Sequence, residues 1–277
     1  MANRAKPDRC EELAIIGAGN LGQALARGWA GAGRARVEDL VLTRRDRSKL
    51  EPLAEEGFRI TSDNVAAVRS ARTIVLAVQP KQVAEVLEEI RDTLDPTRHR
   101  LISVVSAVSI EYMLGILGKP IPIVRAMPNT AVSIGESMTC LAARDSDSEA
   151  LEAATRLFGA VGATLRIEEE MMVSATALCA CGVAFFLRSI RAASQGGIEI
   201  GFHPEEALFM AAQTAKGAAA ILLQEKRHPE SEIDRVTTPR GCTIAGLNEM
   251  EHRGFSSALI KGIVLSAANA RELLKSG

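Results

Sequence analysis

Leu13-Ala14-Ile15-Ile16-Gly17-Ala18-Gly19-Asn20-Leu21-Gly22 decides the fold. An unbroken apolar run meets a Gly-x-Gly-x-x-Gly turn, and Ala24-Leu25-Ala26 continues it with helical character. Strand, tight turn and helix in that order form a dinucleotide-binding corner. Gly17 permits the turn, Gly19 lets the main chain approach a pyrophosphate, and Gly22 lets the helix lie close to the strand. The phosphates then meet unpaired N–H groups and the positive end of the helix dipole. The alternative is a glycine-rich strand–helix turn with no ligand, and the two flanking elements argue against it.

Outward from this corner, short apolar runs alternate with helical stretches as far as Ile167. Asp39–Thr43, Arg72–Val78, Leu101–Ser106 and Ile121–Arg125 read as strands, with a last one at Ala163–Ile167. They are almost wholly apolar rather than alternating, as parallel strands covered on both faces must be. Ser48–Glu56 and Gln82–Arg91 read as helices between them, and Ser146-Asp-Ser-Glu149 has the capping-box spacing for a helix toward Phe158. The expectation is a doubly wound Rossmann-type α/β sheet over residues 1–167.

At the end of the second strand, NAD-selective sites place an Asp or Glu for the ribose hydroxyls. Here the residues are Thr43-Arg44-Arg45. Two guanidiniums suit a 2′-phosphate, so NADPH is expected over NADH; a solvated basic turn is the alternative. Ala77-Val78-Gln79-Pro80 ends one later strand and Arg125-Ala126-Met127-Pro128-Asn129-Thr130 follows another, both facing the crevice at the strands' carboxyl ends.

The totals narrow the class. Apolar residues make up 47% of 277, enough for a substantial core, which excludes a disordered chain. A formal net charge of −1 gives no broad basic field, so nucleic acid is not expected as the ligand. Met1–Cys10 is polar, and no apolar stretch reads as a signal peptide or a bilayer span; a soluble cytoplasmic protein is expected. Five cysteines (Cys10, Cys140, Cys179, Cys181, Cys242) are odd in number and scattered, which disfavours a disulfide framework and structural zinc. No pair among His99, His203, His228 and His252 has metal-ligand spacing, so no metal is expected.

After Glu168-Glu169-Glu170 the rhythm becomes helical over residues 168–277. Helices are expected at Met171–Ala180, Gly182–Gly201, Pro204–Gln224, Gly241–His252 and Ser256–Lys275. Ala211, Ala212, Ala215, Ala218 and Ala219 would let helices approach, and Phe185, Phe186 and Phe209 would fill gaps between them. The apolar faces are broad for so few helices, which implies burial in a homodimer.

Thr237-Thr238-Pro239-Arg240-Gly241-Cys242-Thr243 stands immediately before a helix. Hydroxyls, a glycine and helix-start N–H groups can hold a carboxylate, and Thr243 can donate to a reacting nitrogen. An ordinary N-cap is the alternative.

Gly17–Gly22, Ala77–Pro80, Arg125–Thr130 and Val236–Thr243 together resemble, in order and spacing, the pyrroline-5-carboxylate reductases, over nearly the whole chain. The resemblance implies NAD(P)H-dependent reduction of a cyclic imine to proline by a Rossmann domain followed by an all-helical dimerisation domain. It implies cofactor contacts from Ile16 to Leu21, at Thr43–Arg45, Asn64, Ala77–Pro80 and Ala126–Pro128. It implies a substrate carboxylate around Thr238, Gly241 and Cys242, with Glu169 and Arg235 near the substrate and Thr243 donating toward the imine nitrogen.

Several family signatures are altered: Asn129-Thr130-Ala131 stands for Asn-Thr-Pro, Cys179-Ala-Cys-Gly-Val183 for Ser-Gly-Ser-Gly-Pro, Val173 for an aspartate, and Arg240 for a glycine. Two rivals stay open. A β-hydroxyacid dehydrogenase or imine reductase is disfavoured because the long helix carries Arg188 where the former has a catalytic lysine, and Lys216 lacks the surrounding motif. A non-catalytic NADP(H)-sensing protein is the other.

Overall fold

The computed structural model describes residues 12–275; Cys10 and the polar segment around it lie outside the described residues. The chain divides into two compact units, one reaching Ala180 and including the stretch from Ser266, the other Cys181–Leu265.

The first unit is built on an eight-stranded sheet. Its strands are β1 (Leu13–Ile16), β2 (Leu40–Thr43), β3 (Arg59–Thr61), β4 (Thr73–Leu76), β5 (Arg100–Ser103), β6 (Ile123–Met127), β7 (Ser137–Ala143) and β8 (Gly162–Arg166). The spatial order is β3-β2-β1-β4-β5-β6-β7-β8, parallel throughout except for β6 against β7. Six of the eight thus follow the dinucleotide-fold order, which reverses between β1 and β4 and opens a crevice at their carboxyl ends.

Both faces are covered, as the apolar runs require. Leu13, Ile15, Leu40, Leu42 and Val75 join one core, while Ala14, Ile16, Val41, Ile74 and Leu76 join the other. The helices over these faces are α1 (Asn20–Gly31), α2 (Glu51–Glu55), α3 (Asn64–Arg69), α4 (Val83–Ile90), α5 (Ile110–Leu117) and α6 (Ser148–Gly159). Trp29 of α1 meets Phe158 of α6 edge to face, ring centroids 5.4 Å apart.

The capping box at Ser146 does not form. A 3₁₀ turn covers Asp145–Asp147 and α6 starts at Ser148, while the Ser146 hydroxyl donates to Asp147 Oδ1 at 3.3 Å and caps no helix. A short 3₁₀ turn at Glu169–Met171, α7 (Met172–Ala175) and one π-helical turn (Thr176–Ala180) complete this unit's described helices before residue 181.

The second unit holds α8 (Gly182–Glu199), α9 (Pro204–Glu225), α10 (Pro229–Val236), α11 (Cys242–His252) and the start of α12 (Phe255–Lys275). Pro204 occupies the first turn of α9, with Glu206 accepting from the His203 N–H. The close approach of α8 and α9 falls at Gly197 and Ala207: a Cβ on Gly197 would lie 2.9 Å from that of Ala207. Ala212, Ala218 and Ala219, expected to serve this purpose, are exposed. Phe186 and Phe209 are likewise corrected from gap-fillers to surface residues, 60% and 71% exposed. By length and composition, Glu169–Glu199 is apolar enough to cross a membrane, which corrects the expectation that no stretch is; a helix of a soluble protein passes the same test.

Candidate active site

The crevice of the first unit is built by three strand ends. Gly17 takes φ +86°, and a side chain there would collide with Val78 and the Ala77 main chain. A Cβ at Gly22 would lie 3.1 Å from Ile15 Cγ2, so helix and strand are as close as glycine allows. Over Gly19 the space is open, the nearest atom to a would-be Cβ being Gly17 O at 3.9 Å. The loop is braced from below: the N–H groups of Gly17 and Ala18 donate to Thr43 O at 3.2 and 2.8 Å. No side chain caps α1, so the N–H groups of Asn20, Leu21 and Gly22 precede the first intrahelical bond without a side-chain acceptor. These features fit a dinucleotide pyrophosphate.

A cleft of about 440 Å³ lies beside this loop. Ile16, Gly17, Gly19, Thr43, Arg44 and Arg45 line it, as do Asn64, Ala77, Val78 and Gln79. Ala18 is buried under the turn, and Pro80 is exposed at the start of a 3₁₀ turn before α4. Ala126, Met127 and Pro128 lie at the end of β6, with their side chains buried.

The cleft also contains carboxylates that the strand-end pattern did not reveal. Asp46, Glu85 and Glu89 line it beside Arg44 and Arg45. Arg45 Nη2 donates to Glu85 at 2.6 and 2.7 Å. Thr43 Oγ1 donates to Asn64 Oδ1 at 2.6 Å, and Asn64 Nδ2 donates to Glu89 at 2.8 Å. The Ser48 hydroxyl, with Lys49 beyond it, holds the Asp46 carboxyl below its ordinary value.

These acidic groups do not close the cleft to a phosphate. Arg45 and Glu85 are 70% and 67% exposed, and such pairs contribute about 0.2–1 kcal/mol. A hydrogen bond to a charged phosphate contributes about 1.5–3 kcal/mol. The Arg45–Glu85 pair is therefore weak enough for a phosphate to compete with it.

Glu169, expected near the substrate, is tied to the first unit's sheet and to α5. Its Oε1 accepts from Arg125 Nη1 at 3.1 Å and from the Ile110 N–H at 2.8 Å.

In the second unit, Gly241 is the N-cap of α11, its N–H donating to Thr238 O at 2.9 Å. No side chain caps this helix, and Cys242 and Thr243 stand exposed in its first turn. Arg240 has φ +61°, in the left-handed region that glycine enters without cost. Arg235 donates to Glu232, one turn earlier in α10, at 3.0 and 3.2 Å.

Comparison with known proteins gives one consistent family. Residues 169–273 match the model described as pyrroline-5-carboxylate reductase dimerisation, and residues 12–107 match NADP oxidoreductase, coenzyme F420-dependent. Pyrroline-5-carboxylate reductase 2 of Dictyostelium discoideum is 50% identical over 93% of this chain and 91% of its own length. Pyrroline-5-carboxylate reductase 1 of the same organism is also 50% identical over 94% of this chain, which spans only 49% of that protein. The structure of a Coxiella burnetii pyrroline-5-carboxylate reductase matches with TM-score 0.86 at 29% identity, over 96% of this chain and 99% of that one. A Plasmodium falciparum pyrroline carboxylate reductase with NADP bound has TM-score 0.85 at 24% identity, covering 95% and 98%, which bears on the fold.

Proposed function

The chain belongs to the pyrroline-5-carboxylate reductase family, and we propose that it reduces the ring C=N bond of 1-pyrroline-5-carboxylate to L-proline with NADPH, NADH being less favoured. The observation that carries this reading is the start of α11, where the N–H groups of Cys242 and Thr243 have no side-chain cap and Thr243 is exposed.

The reduced nicotinamide, when bound, supplies the hydride for the ring carbon. Asn20, Leu21 and Gly22 hold the pyrophosphate at the start of α1, and Arg44 with Arg45 takes the 2′-phosphate. Asn64, hydrogen-bonded to Thr43, fixes the wall of the cleft beside it. Thr238, Gly241 and Cys242 bind the substrate carboxylate, and the Thr243 hydroxyl donates toward the ring nitrogen as its charge changes. Glu169 and Arg235 act near the substrate while remaining held by Arg125 and Glu232. Orientation and a positioned donor suffice for such a step.

The protein is a soluble cytoplasmic homodimer whose dimerisation segment begins near residue 169. The exposed Phe186, Leu187, Leu208, Phe209, Ile260 and Val264 lie in the segment matching the dimerisation model, and covering them yields about 25 cal/mol per Å². On this reading Glu169–Glu199 presents an intersubunit face rather than a membrane span. Sedimentation equilibrium tests the dimer, and a monomer at micromolar concentration contradicts it.

The substrate is tested by following NADPH consumption with pyrroline-5-carboxylate and with a β-keto acid. Turnover of the first alone supports the reading; turnover of the second alone transfers the chain to the hydroxyacid dehydrogenases.

A further inference from the structure

Cys140 and Cys179 are 39 residues apart in sequence, yet their sulfurs lie 3.9 Å apart. Cys140 is in β7, buried, and paired in antiparallel register with Met127. Cys179 is half-buried in the π-helical turn Thr176–Ala180. Its carbonyl accepts from the Asn129 side chain at 3.4 Å. Both thiols are free, and neither has a part in the reduction proposed above.

A disulfide needs its sulfurs about 2.0 Å apart, so the gap must close by roughly 2 Å. Closing it takes rotation of the two side chains together with an adjustment of the π turn that carries Cys179. Met127, Met172 and Ala175 pack with Cys140, and Cys179 lies against this cluster partly exposed, so the sulfurs meet at the edge of an apolar setting.

We propose that Cys140 and Cys179 form a dithiol site that exchanges with small-molecule disulfides, Cys179 attacking and Cys140 resolving. The Cys179 thiolate attacks one sulfur of RSSR, forming Cys179–S–S–R and releasing RS⁻, which takes up the proton lost by Cys179. Cys140 then gives up its proton and attacks the Cys179 sulfur, expelling the second RS⁻. The two cysteines lose two electrons and two protons, and the reagent leaves as two RSH.

The division of roles follows exposure and hydrogen bonding. Cys179 is the less buried of the two residues, and the hydrogen bond from Cys140 lowers its thiol to about 7, against a smaller opposing effect of burial. The same bond, with burial, pushes the Cys140 thiol up. Cys181 and Cys242 both fall in the other unit, and neither has a hydrogen bond to another thiol among the described residues.

The test uses reduced full-length protein, oxidised glutathione, an acid quench and peptide mapping by mass spectrometry. The expected result is glutathione on Cys179 at early times, then a Cys140–Cys179 crosslink that retains no glutathione and that dithiothreitol reverses. Cys140→Ser should keep glutathione on Cys179, and Cys181→Ser should behave as the unaltered protein. Glutathione persisting on Cys179 of the unaltered protein, a crosslink to Cys181 or Cys242, or two thiols that stay unreacted in folded protein would each overturn the proposal. The time course on the unaltered protein decides the matter even where Cys140→Ser does not fold.

Discussion

Arg125 and Glu169 form a salt bridge of 3.1 Å that ties the last parallel strand of the dinucleotide sheet to the turn where the helical sequence begins. The guanidinium is 5% exposed and the carboxylate 29%. Arg125 Nε has no hydrogen-bond partner among the described residues, and the bond from Nη1 to Glu169 is the one that compensates the buried charge. Removing one partner of such a pair costs about 3–5 kcal/mol, and partial exposure places this one near the lower end. Glu169→Ala is expected to lower the free energy of unfolding by about 3 kcal/mol in urea titrations. Glu169→Gln, which can still accept from Ile110, should lose less. Equal stability of all three proteins would contradict a structural role for the pair.

Cofactor choice depends on the competition for Arg45. Glu85→Gln removes the internal partner, and kcat/KM for NADPH should rise about threefold, the equivalent of roughly 0.6 kcal/mol. The value for NADH should barely move, since it brings no 2′-phosphate. Arg45→Ala should lower the NADPH value alone. Parallel changes for both cofactors would place Arg45 away from the 2′-phosphate.

Stability should also respond to His99. Burial, reinforced by Arg98 and opposed by Asp95, lowers its value from the ordinary 6.5, and its Nδ1 accepts from the Asp95 N–H at 2.9 Å. As pH falls below 6.5, the unfolded chain takes up a proton that the folded chain resists, so stability is full above that pH and declines below it. The decline in unfolding midpoint between neutral pH and about pH 5 should be shallower in His99→Asn. An unchanged slope would remove His99 from the cause.

Thr243→Ala should lower kcat by about a hundredfold while leaving the Kd of NADPH unaltered, because a positioned proton donor contributes on that order. Thr243→Ser, keeping the hydroxyl, should recover much of the loss. If kcat is unaffected by the alanine, Thr243 is not the donor.

Parallel strands covered on both faces are legible because nearly every residue is apolar: the runs Leu13–Gly17, Arg72–Val78 and Ile121–Arg125 contain Leu13–Ile16, Thr73–Leu76 and the first half of Ile123–Met127. Arg59–Thr61 escaped because three edge residues carry no period, and Ser137–Ala143 because an antiparallel strand after a 3₁₀ turn had no expected place. Pro229–Val236 escaped because its sequence is short and polar, although Pro229 in its first turn was a usable signal. At the site, the glycine loop and Thr43–Arg45 were legible from local order. Glu85 was not, since it reaches Arg45 from a helix 40 residues on, and the nearness of Cys140 to Cys179 exists only once β7 lies beside β6.

The central claim is that this chain reduces 1-pyrroline-5-carboxylate with NADPH. Its most direct measurement is the stoichiometry of NADPH consumed against L-proline formed by the purified full-length protein. The account predicts equal amounts of the two. Tight NADPH binding without consumption, whatever the concentration of pyrroline-5-carboxylate, would contradict it and leave a protein that only senses the cofactor.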